Sequence, residues 1–162
     1  MNKANILGVE ISDVSKSEAL AKVRNYIFDG YQHYIVTPNP EIVLSAREDE
    51  NLRTIINHAD LALPDGFGLK IAAKILGQKL RNRVTGSDFM ESIIALAESE
   101  AWPIFLLGGI DEKIAEQASW HLRYKYKNVK IVGHASGGEV EFREGKLKTS
   151  DSKILDKITN SG

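Results

Sequence analysis

The chain has 162 residues, 43% of them hydrophobic, with a formal net charge of -1 and no cysteine. That is apolar material for one domain over residues 1–162, and too balanced a charge for a nucleic-acid surface, which is ordinarily basic. Disulfides, thiolate zinc sites and cysteine nucleophiles are excluded, which suits the cytoplasm; no run reaches the roughly 20 apolar residues of a membrane span, and the N-terminus lacks a signal-peptide h-region.

NILGVEI at 5–11 predicts a short strand, after which Ser12 or Asp13 opens a helix with Ala19, Leu20, Val23 and Ile27 on one face and Gly30 at its close. Tyr34, Ile35 and Val36 are apolar and β-rich, a buried strand ending at TPNP (Thr37 to Pro40). A helix from about Glu41 carries Ile42, Val43 and Ala46; a second carries Leu52, Ile55 and Ile56. Leu61, Ala62 and Leu63 form the next strand and lead into PDGFG (Pro64 to Gly68); a helix over 68–76 then stops at Gly77. Ser87 or Asp88 caps another helix, with Met90, Ile93, Ile94 and Leu96 inward. PIFLL at 103–107 is the clearest strand, ended by Gly108 and Gly109 and followed by a helix through Ile114, Ala115, Ala118 and Leu122. Residues 129–133 are a further strand. Residues 134–150 are polar and glycine-containing, a loop with a short hairpin of 139–142 against 146–148. The last helix spans 151–160, with Ile154, Leu155 and Ile158 on one side; a βα repeat would continue with a strand.

Strands and helices alternate, and the strands are solid apolar runs rather than in/out alternations. This predicts an α/β fold, a layered Rossmann-like parallel sheet with helices on both faces. Ligands in such folds bind beyond the carboxyl ends of strands, where TPNP, PDGFG and LLGG all fall.

Each of these motifs admits two readings. In TPNP, the prolines stiffen the loop, so Thr37 and Asn39 either present a hydroxyl and an amide to a sugar or cap the helix that follows. In PDGFG, Asp65 is either an N-cap or a general base, with Gly66 and Gly68 permitting close approach of a ligand. In RVTGSD, Arg83 and the N–H groups of a helix start suit an anion such as diphosphate, while Ser87 or Asp88 suits plain capping. Gly108 and Gly109 make half of a nucleotide-binding turn without the full GxGxxG spacing. His33, His58, His121 and His134 fall at no metal-binding spacing and read as surface or satisfied structural residues. There is no Asp-x-Asp, the pair that often holds a sugar nucleotide through a divalent metal, which favours charge neutralisation by Arg, Lys and helix N-termini.

Four segments together, ILGVEISDVSKSEAL, IVTPNPEIVLSAREDENL, ADLALPDGFGLKIAAKILGQKLRNRVTGSDFM and IFLLGGIDEKIAEQA, resemble the WecG/TagA/CpsF glycosyltransferases, in order and across nearly all of residues 5–133. Their TPNPE and PDGFG versions are most like the branch that transfers N-acetylmannosamine in wall teichoic acid synthesis. The resemblance implies an inverting transfer of N-acetylmannosamine from UDP-N-acetylmannosamine to undecaprenyl-diphosphate-linked N-acetylglucosamine, giving a β-1,4 disaccharide. It implies Asp65 as base with Thr37 beside it in a catalytic role, and Asn39, Arg83, Gly66, Gly68, Gly108 and Gly109 as substrate-binding residues. It further implies no cofactor and no metal, and a protein peripheral to the inner face of the cell membrane; the balanced charge already argues against nucleic acid. Apolar faces on several helices permit a homo-oligomer.

Where the family usually carries an aromatic, glycine-containing segment, this chain reads GHASGGEVEF, and no role is carried over to it. The family continues with a strand, a GLGxPKQE motif and a basic C-terminal segment. The resemblance therefore predicts a core with an incomplete active site that binds UDP weakly and turns over poorly. The rival readings are a sister transferase using another UDP-sugar, such as UDP-N-acetylmannosaminuronic acid, and a non-catalytic nucleotide-binding module.

Overall fold

The computed structural model of the chain describes residues 2–138, 140–143, 146–149 and 153–161. The chain divides into two compact units, Met1–Ile93 and Ile94–Gly162.

The first unit opens with a hairpin, β1 (Lys3–Ile6) antiparallel to β2 (Val9–Ser12). The single strand expected over 5–11 is folded back on itself, because Leu7 and Gly8 both take positive φ, 54° and 90°, as tight two-residue hairpin turns require. Asn5 Oδ1 accepts from the Gly8 N–H at 3.0 Å and closes the turn. Ala4, Ile6, Val9 and Ile11 all enter the core. Asn57, on α3 (Glu50–His58), braces the turn: its Oδ1 accepts from Glu10 N–H and its Nδ2 donates to Gly8 O, both at 2.9 Å.

Helix α1 (Lys16–Phe28) starts later than Ser12 or Asp13 because both are already engaged. Buried Ser12 Oγ accepts from Ala62 N–H at 3.2 Å. Buried Asp13 accepts from the Arg81 N–H at 2.8 Å and from Arg81 Nε at 2.9 Å. Burial pushes the Asp13 carboxyl up, but the backbone and guanidinium donors of Arg81 outweigh it and hold the group below its ordinary value. The cap of α1 is Ser15: its Oγ accepts from Glu18 N–H at 3.2 Å while the Glu18 carboxylate accepts from Ser15 N–H at 2.7 Å, a reciprocal capping box. Ala19 and Val23 are buried as expected; Ile27 is exposed.

Strands β3 (Ile35–Val36) and β4 (Leu61–Ala62) pair in parallel, Ile35 opposite Leu61, with α2 (Pro40–Glu48) and α3 as the crossover. His33 ties the starts of both strands to the end of α1. Its Nε2 lies 2.9 Å from Asp29 and its Nδ1 2.9 Å from Asp60, and its ring stacks on Tyr26 with centroids 4.0 Å apart. The Asp60 and Asp29 carboxylates favour the protonated ring and raise its pKa. Helix α4 (Phe67–Ile75) ends at Gly77, φ 68°, where Gly77 N–H donates to Lys74 O and Gln78 N–H to Ala73 O, a Schellman close. Val43, Ala46, Ile56, Ala62, Leu69, Ala73 and Leu80 complete the apolar cluster under the hairpin; each large member is worth about 2–5 kcal/mol against alanine.

Helix α5 (Gly86–Glu100) contains the boundary between the units. Ile94 is buried as expected; Met90, also expected inward, is exposed, and Phe89 is buried in its place. In the second unit β5 (Pro103–Leu107) and β6 (Lys130–Ala135) pair in parallel around α6 (Glu112–Lys125). Ile94, Val129 and Ile131 pack with Ile104, Leu106, Leu122 and Tyr126. The expected hairpin is present as β7 (Val140–Arg143) antiparallel to β8 (Lys146–Thr149); Glu139 lies outside the described residues. Helix α7 covers Ile154–Thr159, and the predicted start of that helix, Asp151 and Ser152, also lies outside them. The chain is thus α/β, as its alternation predicts, with one two-stranded parallel pair in each unit among the described residues.

Candidate functional site

Three chain segments meet at the carboxyl ends of β3 and β4. The strand pairing continues past the strands: Leu63 N–H donates to Val36 O at 2.8 Å and Asp65 N–H to Pro38 O at 3.0 Å, so TPNP and PDG run side by side. The third segment, 81–86, joins through Val84 N–H to Pro64 O at 3.2 Å. Its far end is anchored by Asp13 on Arg81 and by Lys70 Nζ, which donates to Arg81 O at 2.8 Å.

Asp65 is half-buried and does not cap the helix that follows it. The N-cap of α4 is Gly66, at φ 93°, with no side-chain bond. The Asp65 carboxylate turns instead to the start of α5, where Oδ2 accepts from Gly86 N–H at 3.1 Å. Its Oδ1 has no partner among the described residues. Thr37, also half-buried, presents Oγ1 to the same place: a Cβ added to Gly86 would lie 2.9 Å from Thr37 Oγ1 and 3.3 Å from Asp65 Oδ2. The two residues for which the family resemblance implies catalytic roles are therefore together.

Asn39 is the N-cap of α2, Oδ1 accepting from Ile42 N–H at 2.9 Å, with Pro40 at the first helical position. Its oxygen is committed, which leaves the amide nitrogen for a ligand. Gly66 needs its positive φ. Gly68 makes room for protein: an added Cβ would sit 2.8 Å from Pro40 Cγ. Close packing of PDGFG on TPNP accounts for this glycine, where the sequence suggested space for sugar. Arg83 is exposed, with no partner among the described residues, on a segment pinned on either side at Arg81 and Val84. Ser87 and Asp88 do not cap α5. Thr85 Oγ1 accepts from Asp88 N–H at 3.4 Å, and Asp65 takes the Gly86 N–H, so two donors of the expected anion site are already committed.

Gly108 and Gly109 belong to the second unit. Gly108, φ 147°, donates its N–H to Ala135 O at 2.9 Å; Gly109, φ 95°, packs so closely on Ile114 that an added Cβ would be 2.9 Å from Ile114 Cγ2. Asp111, two residues on, caps α6 by accepting from Ile114 N–H at 2.9 Å.

Sequence reasoning missed Gly86 as the meeting point of these loops and Asp13 as their distant anchor. A glycine at a helix start beside three polar residues was a local signal for the first. The second, a contact across 68 residues, has none.

The description of the matching family model is "Glycosyl transferase WecG/TagA/CpsF family", and the match spans residues 4–162. A Bacillus spizizenii protein named N-acetylglucosaminyldiphosphoundecaprenol N-acetyl-beta-D-mannosaminyltransferase is 30% identical over 111 residues, covering 68% of this chain and 43% of its own. A Staphylococcus aureus protein of the same name is 29% identical over 134 residues, covering 82% of this chain and 52% of its own. The chain spans about half the length of these curated relatives. With the family model matching from residue 4 onward, the chain belongs to the WecG/TagA/CpsF family of glycosyl transferases.

Proposed function

We propose that the chain carries the catalytic core of an inverting glycosyltransferase that moves N-acetylmannosamine from UDP-N-acetylmannosamine to N-acetylglucosaminyl-diphosphoundecaprenol. The observation that carries this reading is the Asp65 carboxylate beyond β4, beside Thr37, with one oxygen held by Gly86 and the other without a partner among the described residues. The names of the relatives support the sugar and the lipid acceptor.

Inversion is a single displacement. The acceptor hydroxyl loses its proton to Asp65 Oδ1 as its oxygen bonds to the anomeric carbon, and the bond from that carbon to the diphosphate breaks with UDP as leaving group. Thr37 Oγ1 orients a sugar hydroxyl beside the carboxylate. Arg83 and the Asn39 amide offer donors to the diphosphate and sugar. Neutralisation by Arg83 takes the place of a metal in this scheme. Among the described residues no helix is long and apolar enough to cross a membrane, and we place the protein at the cytoplasmic membrane face because its acceptor is a polyprenyl lipid.

The test is UDP release with a lipid-diphosphate-linked N-acetylglucosamine acceptor, comparing UDP-N-acetylmannosamine with UDP-N-acetylmannosaminuronic acid. Turnover confined to the first donor, and lost in Asp65→Asn while UDP affinity holds, is the expected result. Undiminished turnover in Asp65→Asn would reject the base assignment, and preference for the uronic acid donor would reassign the substrate.

A further inference from the structure

We infer that Gly86 is the positioning residue of the transfer site, aiming the Asp65 carboxylate and leaving the space into which Thr37 and Asp65 converge. The inference rests on the reading of Asp65 as the group that acts on substrate. Gly86 is the first residue of α5, and its N–H donates to Asp65 Oδ2 at 3.1 Å. A helix start carries unsatisfied N–H groups and partial positive charge, so it holds an anionic oxygen better than an isolated amide does.

The second part is space. The point a Gly86 Cβ would occupy is 2.9 Å from Thr37 Oγ1 and 3.3 Å from both Thr37 Cβ and Asp65 Oδ2. The φ of Gly86 is not in the left-handed region, so backbone strain does not call for glycine here; the space beside Thr37 and Asp65 does. The crowding atoms are chiefly ends of rotatable side chains on the two residues of the site. An alanine is therefore accommodated by turning Thr37 and Asp65 away, at the expense of their aim and not of the fold. The surrounding backbone bonds, Asp65 N–H to Pro38 O and Val84 N–H to Pro64 O, keep the loops in place while this happens.

The consequence is that Asp65 cannot swing freely. With Oδ2 held toward α5, Oδ1 is the oxygen left to take a proton, and Thr37 Oγ1 lies on the Gly86 side of the carboxylate. Misplacing reacting groups by about 1 Å costs on the order of 10²-fold in rate.

The experiment has two arms. In amide NMR spectra of the 162-residue chain, the Gly86 N–H resonance moves upfield in Asp65→Asn, because a neutral acceptor weakens the hydrogen bond; an unmoved resonance overturns the inference. In the UDP-release assay, Gly86→Ala lowers kcat by about 10²-fold, with UDP affinity and thermal midpoint near those of the parent. In a Thr37→Ala background, where Oγ1 is gone, the same substitution costs much less. Parent-like kcat in Gly86→Ala while Asp65→Asn is inactive overturns this inference alone, as does an equal loss in both Thr37 backgrounds. Full turnover in Asp65→Asn removes the base assignment and this inference with it.

Discussion

Replacing Gly68 by alanine destabilises the chain by about 1–2 kcal/mol, although the substitution places a better helix former in α4. The added Cβ would lie 2.8 Å from Pro40 Cγ, against the roughly 3.5–4.0 Å at which carbon pairs sit comfortably. The Pro40 ring cannot rotate away. It holds the first position of α2, next to Asn39, whose side chain caps that helix. Relief therefore has to move backbone, and overpacking of this kind costs about 1–3 kcal/mol. Against it stands the intrinsic preference of alanine over glycine, up to about 1 kcal/mol in a helix interior and less in the first turn, where Gly68 lies. The clash wins. Urea and thermal unfolding measure the difference, with about 2–4 °C lost per kcal/mol in a chain of this length. Pro40→Ala in the same chain removes most of the penalty, since the offending Cγ is gone. A Gly68→Ala protein as stable as its parent would refute the reasoning: the glycine would then be free of packing duty and available for ligand access.

Two further predictions concern the first unit. The Asp60 and Asp29 carboxylates favour protonated His33, so its folded pKa stands above the ordinary value of about 6.5; the stability it contributes is complete below about pH 6.5 and is lost as pH rises through the raised value. Asp60 and Asp29, both lowered, contribute above their ordinary value of about 4 and lose this as pH falls through their depressed values. The unfolding midpoint of the parent therefore exceeds that of His33→Gln most between those limits, and a pH-independent gap would contradict the charged clamp. Ser15→Ala opens the capping box of α1 and costs about 1 kcal/mol, read from urea unfolding; no loss would show that α1 is held by tertiary packing alone.

Much of the architecture was legible because it is written locally. The helix after TPNP follows from Asn39 and Pro40, whose cap and ring start a helix wherever they stand. Gly77 ends α4 by its own positive φ. The β5 run and the Gly108–Gly109 turn show in apolar content and backbone freedom. The opening hairpin is hidden for the same reason: residues 5–11 read as one strand, and only the Leu7–Gly8 turn betrays the reversal. Ser12 and Asp13 look like caps by residue type, but burial against Ala62 and Arg81 claims them first.

Residue order alone shows strand and helix segments in succession, polar loops at strand carboxyl ends, and Thr37 and Asp65 within such loops. What Asp65 does with its carboxylate depends on long-range packing. Both a cap of the next helix and a group aimed elsewhere fit PDGFG, because an aspartate side chain reaches either. The choice turned on Gly86, 21 residues away, whose N–H takes Oδ2 and whose missing side chain admits Thr37. Such contacts depend on parallel pairing of β3 with β4 and on the anchoring of 81–86 by Asp13, and long-range placement of that kind leaves no periodicity in the chain to be read.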